Sequence, residues 1–244
     1  MIERELIVNA DDFGRTQATN EGIIRTHECG IVTSASLMVD SPGATAAARY
    51  AEEHPELSVG LHVDLGEWEY RDTEWVTVYE RGPADHEIVR QLERFRALLG
   101  RYPTHLDSHQ HVHRAEPVGA VLAELAAQLG IPLRGNGPIL YCGDFYGQTG
   151  RGEAWPAAIE PAAIVALIAR LPPGVTELGC HPGLDSELEG TGGALGLDQP
   201  ETAGAGDGDG GAYCRAWTGW GGGGADTSAE CAGCGTAACE CALE

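Results

Sequence analysis

The sequence predicts an α/β fold built around a parallel β-sheet, and three observations support this class. Short apolar runs rich in β-branched residues alternate with longer segments of helical periodicity, which is the pattern of βα units. The length of 244 residues fits one large domain of this kind. Polar side chains suited to catalysis follow the predicted strands, and in parallel α/β folds, whether barrel or open sheet, that edge holds the active site.

Strands and helices are predicted in alternation along the first three quarters of the chain. The strands cover residues 6–12, 33–39, 57–65, a segment ending at 105–107, 131–134 and 176–180. The helices cover residues 20–28, a segment from Ser41 to residue 53, residues 85–99, a segment from Pro117 to residue 129, and residues 161–171.

The limits of these helices follow from their terminal residues and their apolar spacing. Gly30 ends the first helix, because glycine is favoured after a helix C-terminus. Ser41 and Pro42 form a suitable N-cap and first-turn pair for the second. In the third and fourth helices apolar residues recur at intervals of three and four before Gly100 and Gly130. The expected buried residues of these two helices are Ile88, Leu92, Phe95, Leu99, Val118, Val121, Leu122, Leu125 and Leu129.

The composition excludes several classes of partner. Asp and Glu outnumber Lys and Arg by 37 to 15, giving a formal net charge of −22, whereas nucleic acids and anionic membranes are bound by clustered basic residues. No segment approaches the roughly twenty apolar residues that a membrane span needs. The amino terminus runs directly into the first strand without a signal-peptide pattern, so a cytoplasmic protein is expected.

The last quarter of the chain differs from the rest. From Asp185 onward there are eleven acidic residues and one basic residue, Arg215, so ten of the 22 net negative charges lie in this segment. Glycine is dense, and no apolar periodicity continues, so little area is available to offset the entropy of ordering. We therefore predict a domain over residues 1–190 and an acidic Gly/Ala/Cys-rich tail over residues 191–244, either disordered or out of frame.

Carboxylates and histidines from separate strand ends form a candidate metal site. Asp11 and Asp12 end the first strand, His62 lies in the third, and His109 follows the fourth. An isolated Asp-Asp pair more often forms a helix-capping turn, and a lone histidine is usually structural. Together they supply the oxygen and nitrogen donors of a divalent-metal site. If the segment after the fourth strand is extended, its alternate residues Asp107, His109, His111 and His113 point to one side.

Several motifs, in one order, resemble the YdjC/ChbG family of carbohydrate deacetylases. They span residues 5–183 and comprise Ile-Val-Asn-Ala-Asp-Asp-Phe-Gly at 7–14, Gly-Ile-Val-Thr-Ser at 30–34, Gly-Leu-His at 60–62, Pro-Thr-His-Leu-Asp-Ser-His-Gln-His-Val-His at 103–113, and Cys-His-Pro-Gly at 180–183. An ordered set of motifs is much more specific than any one of them. The resemblance implies a distorted TIM-like (β/α) barrel, incomplete at the C-terminus if the tail is not native.

The resemblance also implies roles for individual residues. Asp12, His62 and His109 match the metal ligands of the family, and Asp11 matches its catalytic base. His181 lies where a general acid is expected. Arg134 and His113 are candidates for holding the base or the sugar, and hydrogen bonding behind the metal ligands or at the surface is an equal alternative.

The implied reaction is hydrolysis of the N-acetyl group of an acetylated amino sugar of the chitooligosaccharide type, releasing acetate. One divalent ion, magnesium or zinc, is the implied cofactor; it would activate water and stabilise the oxyanion. The expected partner is a small carbohydrate, and since the family includes dimers, a homodimer is an alternative to a monomer. Rival hypotheses are a metal hydrolase of a non-sugar amide or ester, and an inactive family member.

Aromatic residues lie in two irregular segments of the predicted active-site edge. Aromatic faces stack well on sugar rings, although such residues equally serve to anchor long loops. The residues are Trp68, Tyr70 and Trp75 in a predicted loop after His62, and Tyr141, Phe145, Tyr146 and Trp155 in a later stretch. Trp68 and Tyr141 are the candidates for sugar contacts.

The tail admits three interpretations. Cys231, Cys234, Cys239 and Cys241 could bind zinc, but the gap between the pairs is shorter than in zinc ribbons. A flexible acidic linker is the second interpretation. The third is a frameshift or sequencing error between residues 185 and 203, since the whole chain lacks lysine, as products of GC-rich genes do. Resequencing across that window, with the intact mass of the protein, decides between the last two.

Overall fold

A parallel β-sheet flanked by helices forms the part of the chain described by the computed structural model, residues 4–184. The strands are β1 (Arg4–Phe13), β2 (Ser34–Leu37), β3 (Ser58–Val63), β4 (Gly66–Arg71), β5 (Glu74–Glu80), β6 (Leu106–Ser108), β7 (Leu140–Cys142) and β8 (Gly174–Cys180). The helices are α1 (Gln17–Glu28), α2 (Ala44–Glu53), α3 (Ala84–Leu99), α4 (Val118–Leu129) and α5 (Pro161–Arg170). The predicted tail, its cysteine group and the frameshift window lie outside the described residues.

Six of the strands form one sheet in the order β6-β3-β2-β1-β8-β7. Every neighbouring pair in it is parallel, and the sheet curls into half of a barrel. The predicted α/β class is therefore confirmed, and the active-site edge lies where the carboxyl ends of these strands converge.

A short segment links the two edges of the sheet. Leu133 pairs with Leu106 beside β6, and β7, which begins at Leu140, pairs with β8 on the opposite edge. Seven residues span at most about 25 Å when extended, so the edges are drawn towards each other. The predicted strand over residues 131–134 is reduced to isolated bridges from Leu133 to Leu106 and Asn136, whereas β7 has no counterpart in the sequence prediction.

The apolar core lies between the central strands and the helices. The central strands bury side chains on both faces, as parallel strands covered by helices do. Of the residues predicted to be buried in α3, three are buried and Leu92 is partly buried. In α4, Leu122 is fully buried, while Val118, Val121 and Leu125 pack against the core with part of their surface exposed. The helical spacing was therefore a sound guide to the faces that these helices bury.

The predicted start of the second helix is wrong. Helix α2 begins at Ala44 with Gly43 as its N-cap, and no side chain caps it. Ser41 instead accepts a hydrogen bond from the Ala44 backbone N–H through its carbonyl oxygen. Gly43 approaches Gly14 and Asn20 so closely that a Cβ at this position would lie 2.8 Å from the Asn20 amide nitrogen. The close packing of two turns, and not capping chemistry, thus sets where α2 begins.

The predicted aromatic loop after His62 is a β-hairpin. Strands β4 and β5 pair antiparallel, and the pairing shifts between Glu67 and Trp68, as at a β-bulge. Asp72 and Thr73 form the turn with φ angles of 49° and 75°, a conformation typical of two-residue hairpin turns. The loop prediction was therefore wrong. The alternating residues of this segment are typical of a strand pair.

The segment after the fourth strand is not extended, so the one-sided arrangement of Asp107, His109, His111 and His113 that extension would give does not occur. His109–Arg114 form a short 3₁₀ segment, in which Gln110 and His111 adopt left-handed φ angles of 50° and 54°. The histidines of this segment consequently point in different directions. Only His109 takes part in the carboxylate–histidine group described below.

None of the helices within residues 4–184 is both long enough and apolar enough to span a bilayer.

Candidate active site

The two adjacent aspartates owe their geometry to an irregularity at the end of β1. The pairing of β1 with β2 shifts between Ala10 and Phe13, and Asp12 has a φ angle of 66°. In a regular strand neighbouring side chains point to opposite faces. Here the left-handed residue breaks that alternation, and both carboxylates are buried at the active-site edge. A non-glycine residue in this region costs about 1–3 kcal/mol and is typical of functional sites.

Asp12, His62 and His109 form a group suited to a divalent ion. The Asp12 Oδ1 atom lies 3.4 Å from His62 Nε2 and 3.2 Å from His109 Nδ1, and all three side chains are buried. Tetrahedral ligands with bonds of about 2.0 Å are separated by about 3.3 Å. Oδ1 is buried and makes no hydrogen bond of ordinary geometry, so this oxygen is stabilised by a cation beside it, either a metal ion or the protonated imidazoles. The donors present therefore fit a divalent metal.

Each imidazole has a second carboxylate on its far side. His62 Nδ1 lies 2.8 Å from Asp107 Oδ1, and His109 Nε2 lies 3.1 Å from Glu67 Oε2. Metal-binding histidines commonly donate their other N–H to a carboxylate in this way. The site thus has both features of a metal centre, the three candidate ligand side chains and the carboxylates that accept the second N–H of each histidine.

The same carboxylates determine the charge of the metal-free rings. Burial by itself lowers the pKa of His62, but Asp107 and Asp12 outweigh it and raise the pKa to about 10. For His109 burial is likewise outweighed by Asp12 and Glu67, and the pKa is raised to about 9. Without a metal both rings are therefore cationic near pH 7, which shows how strongly this environment favours positive charge.

Asp11 lies beside the metal group and is saturated with hydrogen bonds. Its Oδ1 accepts from Asn9 Nδ2 at 2.8 Å and from Arg134 at 2.7 Å, and its Oδ2 accepts from Arg134 at 2.8 Å and from the Tyr146 hydroxyl at 2.6 Å. Burial would raise the pKa of Asp11, but Arg134 outweighs it and holds the pKa far below its usual range. A carboxylate has about four lone-pair positions, so Asp11 is ionised and fully occupied.

Arg134 joins three strands inside the barrel. Its side chain is within 2.7 Å of Asp11 on β1, Asp107 on β6 and Glu177 on β8, and the guanidinium is fully buried. Asp11, His62 and Asp107 form a second group with metal-ligand spacing. Because the guanidinium already lies between the two carboxylates of that group, a metal there would have to compete with a fixed cation.

His181 follows β8 at the same edge, open to solvent on one side. Its ring centroid lies 4.3 Å from that of Tyr146. The surrounding protein atoms lower the pKa of His181, and the charges of Asp12 and Asp11 only partly offset this. Two residues later the chain packs on α1, where a Cβ added at Gly22 would lie 2.6 Å from the Gly183 Cα atom. This glycine pair fixes the path of the chain just after His181.

The remaining predicted residues lie around this group. His113 is buried, and its Nδ1 lies 2.7 Å from the Ser108 hydroxyl; burial and the Arg134 charge lower its pKa to about 3. The Tyr141 hydroxyl lies 3.2 Å from His111 Nε2 and donates to the Tyr146 hydroxyl at 2.5 Å. Trp68 is a buried member of the core, so most of its surface contacts protein.

Three residues of the site had no assigned role in the sequence analysis. Asn9 lies two residues before Asp11 on β1. A polar residue in an otherwise apolar strand was the feature of the sequence that could have indicated its role. Tyr146 was noted only among the aromatic residues of its segment. Glu67 carried no signal, because the bulge that directs it towards His109 depends on hairpin pairing.

The fold and the site together define the class of protein. It is a parallel half-barrel with a buried carboxylate–histidine group, a candidate metal site, at the carboxyl edge of its strands. The chain belongs to the YdjC family. The family model described as YdjC-like protein matches residues 5–204, which include every candidate site residue. The domain boundary near residue 190 stays a prediction.

The relatives agree with this assignment. A carbohydrate deacetylase of Geobacillus stearothermophilus is 36% identical over 210 residues, 74% of this chain and 80% of the relative. A chitooligosaccharide deacetylase of Salmonella paratyphi B is 38% identical over 154 residues, 54% of this chain, and the match spans only 60% of the Salmonella protein. A solved structure from Enterococcus faecalis V583, for which cellobiose-phosphate cleavage has been suggested, superposes with a TM-score of 0.58 at 26% identity, covering 77% of this chain and 84% of that one.

Proposed function

We propose that the protein is a metal-dependent N-deacetylase that hydrolyses the acetamido group of an acetylated amino sugar of the chitooligosaccharide type and releases acetate. The observation that carries the proposal is the Asp12 Oδ1 atom, buried without a hydrogen-bond partner between the imidazoles of His62 and His109. Relatives named carbohydrate deacetylase and chitooligosaccharide deacetylase support the substrate class.

Asp12, His62 and His109 are the proposed ligands of one divalent ion. Two imidazoles and one carboxylate suit zinc by ligand type, and magnesium is the alternative. When bound, such an ion supplies polarisation of the amide carbonyl and a lowered pKa for water. Arg15, which donates to Asp12 Oδ2 at 2.8 Å, fixes the second oxygen of this carboxylate and leaves Oδ1 directed at the histidines.

Asp11 is the proposed general base. It can accept a proton from the attacking water only if one of its four donors gives way. The Tyr146 hydroxyl is the donor with another partner at hand, since it also lies 2.5 Å from the Tyr141 hydroxyl. Arg134 and Asn9 keep the carboxylate oriented while Oδ2 becomes available. Arg134 is thus proposed to hold the base and not to contact the sugar directly.

His181 is the proposed general acid. The leaving amine is a poor leaving group unless it is protonated, and an imidazolium is a suitable donor near neutral pH. Because the pKa of His181 is lowered, its ring is mostly neutral near pH 7, so it must take up a proton before it can donate one to the amine. The Tyr146 ring lies beside the His181 ring at an interplanar angle of 30° and restricts that ring to one face of the site.

Sugar contacts are proposed for the open side of the site. Tyr141 is partly exposed and lies next to Tyr146, so part of its ring is available to a substrate. Trp68 is 7% exposed, and His113 is 5% exposed; their contribution is therefore proposed to be support of the surrounding loops.

The decisive experiment measures acetate release from diacetylchitobiose by the full chain, with and without a chelator. Activity that a chelator abolishes and that zinc or magnesium restores is expected. A folded, metal-loaded sample without activity on this substrate, but active on simple amides or esters, would favour the rival hydrolase. A folded sample that binds metal and hydrolyses neither class would indicate an inactive family member.

A further inference from the structure

Glu67 contacts the candidate metal site from the β4–β5 hairpin, an element outside the parallel sheet. We propose that Glu67 is a positioning residue that keeps the His109 proton on Nε2 and so makes Nδ1 the metal-binding nitrogen. The inference rests on the proposed metal site, and it adds a carboxylate that the ligand group does not contain.

The hydrogen bonds of the two imidazoles carry the argument. A carboxylate only accepts, so the His109 nitrogen that faces Glu67 at 3.1 Å must carry the hydrogen. A metal-bound imidazole is neutral and has one N–H, so a hydrogen held on Nε2 leaves the Nδ1 lone pair for an ion beside Asp12 Oδ1. His62 is arranged the other way round, with Nδ1 on Asp107 and Nε2 towards Asp12. The two histidines thus present different nitrogens to the same ion.

The position of Glu67 is fixed by the hairpin and the 3₁₀ segment together. Gln110 donates to Glu67 Oε1 at 3.1 Å and to the Trp68 carbonyl at 2.8 Å, and its own side-chain oxygen accepts from the Trp68 N–H at 3.0 Å. Gln110 is left-handed, and the bulge lies between Glu67 and Trp68. Both irregularities serve to bring this carboxylate against His109.

Charge balance favours a positioning role over direct ligation. Arg15 lies 3.8 Å from Glu67 Oε2 and also donates to Asp12 Oδ2, so part of the negative charge of Glu67 is already countered. The group whose ligand atoms lie within 4.8 Å of one another comprises Asp12, His62 and His109. Glu67 contacts the side of the His109 ring away from Asp12.

The test compares metal affinity in Glu67→Ala, Glu67→Gln and a matched control, Glu69→Gln. Glu69 is the same residue type on the same strand, but it is exposed and bonds to Arg71. Titration calorimetry with Zn²⁺ and Co²⁺ should show a loss of about 10- to 100-fold for Glu67→Ala, as is typical when a second carboxylate behind a metal histidine is removed. Glu67→Gln should lose less, because its amide oxygen still accepts from Nε2–H. Glu69→Gln should match the wild type.

A second readout reports the proton position directly. Nitrogen–proton couplings of ¹⁵N-histidine in the zinc-loaded protein should show His109 with its hydrogen on Nε2 and His62 with its hydrogen on Nδ1. Removing Glu67 should leave His62 unchanged and let the fraction of His109 that is released from zinc adopt both tautomers. Circular dichroism and thermal unfolding confirm that the variants are folded.

Two results would overturn the proposal. One is unchanged metal affinity and an unchanged His109 tautomer in Glu67→Ala, with His109→Ala losing the metal. The other is a Glu67 oxygen bound to zinc at about 2.0 Å in a crystal structure of the loaded protein. In either case diacetylchitobiose hydrolysis can still be present, whereas failure of the proposed function appears separately as a folded wild-type protein that binds no metal.

Discussion

Asp11 and Asp12 are neighbours in the chain, but their carboxylates have different surroundings. Asp11 is held by four donors, whereas Asp12 keeps one oxygen directed at two imidazoles. The left-handed backbone at Asp12 is what separates them. A single residue conformation therefore gives two adjacent carboxylates the different surroundings that their proposed roles as base and metal ligand require.

Exchange of either aspartate should separate these roles. Asp11→Asn should retain the metal and lower kcat/KM by about 10²- to 10⁴-fold, because the base is lost. Asp12→Asn should lose metal and activity together. Metal content by elemental analysis, beside the acetate assay, distinguishes them, with Asp85→Asn on the exposed start of α3 as the control. Loss of metal in Asp11→Asn with retention in Asp12→Asn would reverse the assignment.

The histidine pKa values predict how the stability of the metal-free protein depends on pH. In the unfolded chain both rings lose their proton near pH 6.5, but in the folded chain they do so near pH 10 for His62 and pH 9 for His109. The stabilisation is complete below pH 6.5 and is lost as the pH rises through 9 to 10. The free energy of unfolding should therefore fall across this window.

Urea denaturation of the chelator-treated protein between pH 6.5 and 10 measures this effect. His62→Gln should flatten the pH dependence, and His86→Gln, which changes an exposed histidine of α3, should not. A metal-free wild-type protein whose stability rises or stays constant over this range would contradict the assigned ion pairs.

At the scale of elements, irregular segments complete a site that regular strands begin. The strand ends deliver Asp11, Asp12 and His62, and these positions were predictable because parallel strands share one carboxyl edge. The hairpin and the 3₁₀ segment then add Glu67 and Gln110. Their positions depend on a bulge and on left-handed residues, which leave little trace in the pattern of apolar residues. The sequence therefore predicted that Asp12, His62 and His109 come together, but it did not predict that Glu67 and Gln110 lie beside them.

A substitution in helix α1 tests how closely the segment after His181 must pack against this helix. Gly22→Ala would ordinarily stabilise a helix by about 1 kcal/mol, but here the new Cβ would lie 2.6 Å from the Gly183 Cα atom. We expect a lower free energy of unfolding and a lower kcat as His181 is displaced. Urea denaturation and the acetate assay provide the measurements, with Glu21→Ala, an exposed neighbour, as the control. An increase in stability with full activity would show that the two segments separate easily.

At the scale of the whole molecule, one buried cation holds the curled sheet together. Arg134 neutralises carboxylates from three strands, and removing one partner of a buried ion pair typically costs about 3–5 kcal/mol. Arg134→Met should therefore lower the free energy of unfolding by at least this amount. Arg170→Met, at the exposed end of α5, should change it by less than about 0.5 kcal/mol. Equal urea midpoints for the two variants would contradict a structural role for Arg134.

The sheet order has a consequence for the synthesis of the protein. Strand β1 lies between β2 and β8, so during synthesis β1 is made long before its partner β8, which begins at Gly174. Until β8 is made, one edge of β1 is unpaired and the surroundings of Asp11 and Asp12 at its end are incomplete. Long-range strand pairing of this kind forms slowly, and a chain with an unpaired edge is prone to aggregate. A ribosome stalled before this strand emerges should hold a chain that cannot bind metal. The synthesis of β8 would then determine when the carboxylates at the end of β1 acquire their final surroundings.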